Sequence, residues 1–258
     1  MIGPIALHGG GEFLAGDEPI LGHLLGLAAR ASLARSELAR GAEASTLRVE
    51  LLTTAVARHR PDMAYAVGAT AFERVAAELG AGVAGERVAG TRVLLHHARV
   101  VDAVSAADPD LADRLGAADL VYLPGGDPDA VVGILAGTAA WQAVEQARAR
   151  GAVVAGASAG AMALGERTWT RDGYVAGFGW AGGLVVVPHA SAERMNGMRR
   201  TIDALERGVD LAILGLPERT GVTGGPGSWT VVGAAGAWWW PPHHVAPAHL
   251  LERTVIRD

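Results

Sequence analysis

Short apolar runs and helix-like segments alternate along residues 5–164, and this alternation constrains the fold more than any other feature of the sequence. Strands and helices that alternate in this way form a mostly parallel sheet with helices on both faces. The sequence therefore predicts an α/β fold. Because 258 residues, half of them hydrophobic, are enough to bury one large core, we expect a single domain over residues 1–258.

Glycine-rich turns follow three of the predicted strands. They are the G-G-G run at 9–11, the G-G pair at 125–126 and a turn around Ser158. Proteins with parallel sheets bind their ligands at the carboxyl ends of the strands. Because all three turns follow predicted strands, we expect them to line one cleft. Gly10 and Gly11 are therefore candidate substrate-binding residues.

Ser158 lies at the centre of a G-x-S-x-G pattern between a β-branched run and a helix-compatible run. Gly156 and Gly160 permit the sharp strand-to-helix corner of a nucleophile elbow, which holds the serine hydroxyl exposed. The amide of Ala159 would then point toward an anionic intermediate. The alternative is a structural turn that happens to contain a serine.

A serine nucleophile needs a base within hydrogen-bond reach and an acid that orients the base. His189 follows the apolar run L-V-V-V-P at 184–188, so it is placed at a strand end downstream of Ser158. Glu218 follows the apolar run at 211–216 and is one candidate acid. Asp172, in a T-R-D-G turn, is the rival acid.

Composition excludes several classes of chemistry and partner. The chain has no Cys, which removes thiolate metal sites and cysteine nucleophiles, and all 22 basic residues are Arg, which removes lysine-based mechanisms. A net charge of −5 without basic clusters argues against nucleic acid and membrane surfaces as partners. There is no apolar run long enough to span a membrane, and Met1 leads straight into an apolar strand, so we expect a cytoplasmic protein.

Four strand-end segments, taken in order, resemble the cyanophycinase/dipeptidase E family of serine peptidases. They are L-P-G-G-D at 123–127, A-G-A-S-A-G-A at 155–161, V-P-H-A-S at 187–191 and G-L-P-E-R-T at 215–220. The resemblance extends over residues 5–222. It implies the class I glutamine amidotransferase-like fold, a flavodoxin-like sandwich.

The resemblance also implies roles for individual residues. Ser158 would be the nucleophile, His189 the general base and Glu218 the orienting acid, because the cyanophycinase branch places a Glu in a context like 215–220. The dipeptidase E branch instead places an Asp between the Ser and the His, where Asp172 falls. The oxyanion hole would be formed by the amide of Gly126 or Asp127 together with that of Ala159.

Residues that bind the substrate depart from the family pattern. Pro128 replaces the Gln that usually follows the G-G-D motif in cyanophycinases, and Asn196 stands where an Arg is expected after the His. The sequence therefore predicts a small peptide or amide with an acidic group, bound by Arg194 or Arg171, rather than poly(aspartyl-arginine). Hydrolysis through an acyl-enzyme on Ser158 would need no metal and no organic cofactor.

Two further hypotheses remain open at this stage. The chain could be a non-catalytic small-molecule-binding or regulatory protein that keeps the fold. The tryptophans at 238–240 are unusual in a chain with few aromatic residues. They are explained either by core packing or by a subunit contact in a homodimer.

Overall fold

Two β-sheets lie at the centre of the computed structural model, which describes residues 2–38, 46–80, 91–205, 211–242 and 247–256. In chain order the strands of these ranges are β1 (Ile5–His8), β2 (Thr46–Leu52), β3 (Arg92–Ala98), β4 (Leu120–Leu123), β5 (Val153–Ala157), β6 (Gly165–Thr170), β7 (Gly173–Ala176), β8 (Ala181–Pro188), β9 (Ala212–Leu216), β10 (Gly221–Gly225), β11 (Ser228–Val232), β12 (Ala237–Trp240), β13 (Ala248–Leu250) and β14 (Val255–Ile256). The helices are α1 (Glu18–Leu38), α2 (Pro61–Gly80), α3 (Ala103–Ala106), α4 (Pro109–Gly116), α5 (Pro128–Leu135), α6 (Ala139–Ala149), α7 (Ala159–Leu164) and α8 (Ala192–Leu205).

The larger sheet has the strand order β14-β11-β10-β1-β5-β4-β2-β3, and the smaller one has the order β13-β12-β9-β8-β6-β7. In the larger sheet, the neighbouring strands among β1, β2, β3, β4 and β5 pair parallel. In the smaller sheet, β8 pairs parallel with both β6 and β9. The remaining strands pair antiparallel. The predicted α/β class is confirmed. The parallel strands form one side of the larger sheet, with β3 at its edge, and the middle of the smaller sheet. The assignment of residues 1–258 to one domain stays a prediction.

Helices and sheets form successive layers because the strands are apolar on both faces. Helices α1 and α2 pack on one face of the larger sheet. Helices α4 to α7 and the smaller sheet pack on the other face, and α8 covers the far face of the smaller sheet. None of the helices in the described ranges is both long enough and apolar enough to cross a bilayer.

The apolar periodicity of residues 130–150 predicts a single helix, but the structure has two helices there, α5 and α6, so this prediction is wrong. The chain leaves helical geometry at Ala136, which has φ −57° and ψ 123°, and α5 ends there. The side chain of Thr138 then accepts a hydrogen bond from the backbone N–H of Trp141 and caps the start of α6. The Gly137-Thr138 pair is a helix stop followed by a helix cap, and the apolar periodicity on either side conceals it.

The tryptophans at 238–240 are packed inside the protein as strand β12. Trp240 is buried, Trp239 packs against the main core, and Trp238 packs against the core beneath α8. None of the three is among the exposed large hydrophobic residues of the described ranges. Core packing therefore accounts for this run, and the homodimer stays a prediction without support from an exposed aromatic surface.

Candidate active site

The carboxyl ends of β4, β5 and β1 meet at one edge of the larger sheet. Their register places Leu123 beside Gly156 and His8 beside Ala157. Ser158 directly follows β5, and the two glycine-rich loops directly follow β4 and β1. The three turns therefore lie together, as the sequence predicts.

The smaller sheet brings two more side chains to this edge. Strands β8 and β9 run parallel with Pro188 beside Leu216, so His189 and Glu218 leave neighbouring strand ends. The backbone N–H of His189 donates to the carbonyl of Gly9 at 2.8 Å. The loop after β1 thus joins the two sheets at this edge.

Ser158 has the backbone geometry of a nucleophile elbow. Its φ of 47° and ψ of −109° are unusual for a residue with a side chain. A Cβ atom on Gly156 would lie 2.5 Å from the backbone of Gly160, so the corner requires glycine there. The close approach of β5 and α7 holds the serine at the corner.

Ser158, His189 and Glu218 form a continuous hydrogen-bonded path. The Ser158 Oγ lies 3.1 Å from His189 Nε2, and His189 Nδ1 lies 3.0 Å from Glu218 Oε1. With the proton on Nδ1, the imidazole donates to the carboxylate and accepts from the hydroxyl. Asp172 lies instead in the exposed turn between β6 and β7, and the described residues include no contact between it and His189.

The backbone amides near Ser158 differ in their availability. The Asp127 N–H donates to the carbonyl of Ala55 at 2.7 Å, and is therefore occupied. The N–H groups of Gly126 and Ala159 have no hydrogen bond within the described part of the chain. Of the two amides left open by the sequence, that of Asp127 is therefore already bonded, whereas the N–H of Gly126 is available beside that of Ala159.

Gly10 and Gly11 lie against His189 and Glu218. A Cβ atom on Gly10 would lie 2.3 Å from His189 Cε1, and one on Gly11 would lie 3.1 Å from the Cβ of Glu218. Gly10 also has a φ of 109°, which residues with side chains rarely adopt. The two glycines therefore make room for the imidazole and the carboxylate, whereas the sequence predicts that they contact substrate.

Two open clefts of about 650 and 630 Å³ lie on either side of Met162 and Trp169, which line both. Arg194 lines the larger cleft, and Arg171 lines the smaller one next to Gly126. Asn196 is exposed on α8 and lines neither. Within the described ranges no three His, Asp or Glu side chains are grouped so that they could hold a metal ion.

The model of peptidase family S51 matches residues 92–223, just over half of the chain, and covers the segments that carry Ser158, His189 and Glu218. The chain belongs to peptidase family S51. This family member has no match among curated proteins.

Two solved structures share the fold of this S51 family member. A peptidase from an acI-B1 Actinobacterium is 23% identical, with a TM-score of 0.72 over 100% of this chain and 98% of that one. A putative peptidase E protein from Listeria monocytogenes EGD-e is 13% identical, with a TM-score of 0.56 over 90% of this chain and 98% of that one. The predicted family and its sandwich fold are confirmed.

Glu12 also lies at this candidate site, although the sequence motifs do not include it. Its Oε1 accepts a hydrogen bond from the backbone N–H of Gly125 at 2.7 Å, although the two residues lie 113 positions apart. The available signal is a lone carboxylate directly after a glycine run at a strand end.

A buried polar cluster lies behind the loop that follows β1. His8 Nε2 is 3.2 Å from Asp17 Oδ1, and His8 Nδ1 is 3.2 Å from the Tyr122 hydroxyl. Burial, with a contribution from the nearby His189, lowers the pKa of His8 to about 4. Burial, reinforced by the neighbouring Glu12, raises the pKa of Asp17 to about 7, although a hydrogen bond from the backbone of Phe13 opposes this rise.

Proposed function

We propose that the chain is a serine peptidase in which Ser158 is the nucleophile, His189 the general base and Glu218 the acid that orients the base. The single observation that carries this proposal is the hydrogen-bonded path from the Ser158 Oγ through His189 to Glu218. The strained backbone of Ser158 supports it, because such strain is typical of functional corners. S51 membership supports peptide-bond hydrolysis.

The proposed reaction has two halves. The Ser158 Oγ attacks the scissile carbonyl carbon while its proton passes to His189 Nε2, and the Gly126 and Ala159 N–H groups stabilise the resulting oxyanion. The C–N bond breaks, the leaving amine takes the proton from His189, and an ester on Ser158 remains. Water then attacks the ester with His189 again as base, which releases the acid product and restores the Ser158 hydroxyl.

An acidic group on the substrate is the second part of the proposal. Arg194 and Arg171 place positive charge in the two clefts beside Met162. The Arg171 guanidinium already lies 3.7 Å from an Asp127 carboxylate oxygen. The Arg194 guanidinium has no ion pair within the described residues, so Arg194 is the better candidate to bind a substrate carboxylate.

A library of dipeptides with acidic, neutral and basic first residues tests the proposal. We expect hydrolysis that favours acidic peptides, and we expect the variant Ser158→Ala to lose about 10⁴- to 10⁶-fold in kcat while its thermal unfolding is unchanged. The variant Arg194→Met should raise KM for acidic peptides and leave KM for neutral ones unchanged. If the wild-type protein hydrolyses no member of the library, the non-catalytic binding role becomes the better account.

A further inference from the structure

Glu12 connects the loop after β1 to the loop after β4 at the candidate active site. We propose that Glu12 is a positioning residue that fixes the orientation of the Gly126 amide, an inference that rests on the proposed function. Its contact with the Gly125 N–H, at 2.7 Å, is a short charge-assisted hydrogen bond. The two loops come from different strands, so this bond fixes the second loop relative to the first.

The carboxylate and the nucleophile flank the same side of Gly125. A Cβ atom built on Gly125 would lie 2.7 Å from Glu12 Oε1 and 3.0 Å from the Cβ of Ser158. Glu12 is therefore adjacent to the reacting serine. If the Glu12 carboxylate moved, the Gly125 backbone next to Ser158 would move with it.

The segment Gly125–Asp127 is held at both ends. Glu12 accepts from the N–H of Gly125, and the carbonyl of Ala55 accepts from the N–H of Asp127. The peptide that joins Gly125 to Gly126 lies between these two bonds and carries the free Gly126 N–H. A pair of adjacent glycines has wide conformational freedom, so these two bonds help to restrict the rotation of the peptide between them.

An acceptor oxygen is sufficient for this role, and a negative charge is not needed. No cation of the described residues lies within ion-pair distance of the Glu12 carboxylate. A carboxylate beside Ser158 opposes the negative charge that develops in the transition state. Glu12→Gln keeps the acceptor and removes the charge, whereas Glu12→Ala removes both.

Kinetics of these two variants on the best peptide of the library test the proposal. We expect Glu12→Ala to lower kcat about 10- to 100-fold with KM unchanged. A misdirected Gly126 amide would stabilise the transition state less well and would leave substrate binding unaffected. Glu12→Gln should stay within about threefold of wild type or exceed it, because the acceptor is retained. Glu18→Ala is the matched control, because Glu18 accepts from the loop N–H of Gly16 at the same 2.7 Å, and it should behave as wild type.

A peptide aldehyde supplies a readout that general loosening of the fold would not move. Ser158 adds to its carbonyl carbon, and the former carbonyl oxygen occupies the oxyanion hole. Glu12→Ala should weaken aldehyde binding by the same factor as kcat and leave binding of the product acid unchanged. A wild-type kcat in Glu12→Ala, an unchanged aldehyde affinity, or a Glu12→Gln variant as impaired as Glu12→Ala would each overturn the positioning role. All of these outcomes are measured against a wild-type protein that hydrolyses the peptide, so they test the positioning role alone. A wild-type protein without hydrolytic activity would instead overturn the proposed function.

Discussion

In the proposed triad, the carboxylate beside His189 would determine which tautomer the imidazole adopts and how well its positive charge is stabilised during the reaction. The sequence leaves two residues open for this place, Glu218 and Asp172. The hydrogen bond of His189 Nδ1 goes to Glu218, because β8 and β9 are neighbours in register. Asp172 belongs to a turn between two antiparallel strands, which local sequence cannot place relative to the cleft.

Replacing each acid by its amide tests this choice. We expect Glu218→Gln to lower kcat/KM by about 10²- to 10⁴-fold, because an amide no longer stabilises the imidazolium and can hold the wrong tautomer. Asp172→Asn, the matched control, should have wild-type kinetics. The reverse pattern, with full activity in Glu218→Gln, would contradict the proposed triad.

The shifted pKa values of His8 and Asp17 imply that the pair holds one proton in the folded protein near neutral pH. In the folded protein, with pKa values of about 4 and 7, the pair holds one proton between these two pH values. In the unfolded chain, with the ordinary values of 6.5 and 3.8, the two groups also hold one proton over nearly the same pH range. Folded and unfolded states therefore bind similar numbers of protons, and the pair adds little pH dependence to the free energy of unfolding.

Removing one member should expose the titration of the other. In His8→Gln the raised pKa of Asp17 stabilises the fold at low pH, and this stabilisation, at most about 4 kcal/mol, is lost as the pH rises through 7. In Asp17→Asn the lowered pKa of His8 makes stability fall as the pH drops from 6.5 toward 4. Denaturation in guanidinium across this range measures both slopes, and equal slopes in the two variants would contradict the shared proton.

At the scale of elements, the contact between β5 and α7 fixes the nucleophile corner. A Cβ atom on Gly156 would meet the backbone of Gly160, which cannot move without displacing α7. We expect Gly156→Ala to lower the free energy of unfolding by about 1 to 3 kcal/mol. Catalytic activity should fall by more than the loss of folded protein alone explains, because the same movement displaces Ser158.

Gly133 offers a matched control for this substitution. It lies exposed within α5, and a Cβ atom there would meet nothing within 4 Å. Gly133→Ala should therefore stabilise the protein by about 0.5 to 1 kcal/mol through helix propensity. Chemical denaturation of both variants checks the pair, and a stabilised Gly156→Ala would contradict the packing described for the corner.

Elements with local signals could be predicted from the sequence, and pairings between distant elements could not. Asp-Pro starts such as Asp108-Pro109 mark helices, because the Asp side chain caps the first turn. Strand ends rich in glycine marked the candidate site. The second sheet and the contact of Glu12 with Gly125 depend on residues far apart in the chain, for which the sequence contains no local pattern.

At the scale of the whole molecule, the proposed triad exists because two sheets meet at one edge. The larger sheet supplies Ser158 and the free amides, and the smaller sheet supplies His189 and Glu218. The loop after β1 joins them through hydrogen bonds from His189 and Arg219 to its carbonyls. The order of the strand-end motifs predicted which residues converge, whereas the two-sheet arrangement could not be read from them.

Covalent capture of the nucleophile tests the central claim most directly. The wild-type protein would be treated with a serine-directed peptidyl phosphonate, and the modified residue would be located by peptide mass spectrometry. We predict a single adduct on Ser158 that is absent from Ser158→Ala and forms much more slowly in His189→Ala. An unmodified wild type, or an adduct on another residue, would contradict the claim that Ser158 is the nucleophile of this peptidase.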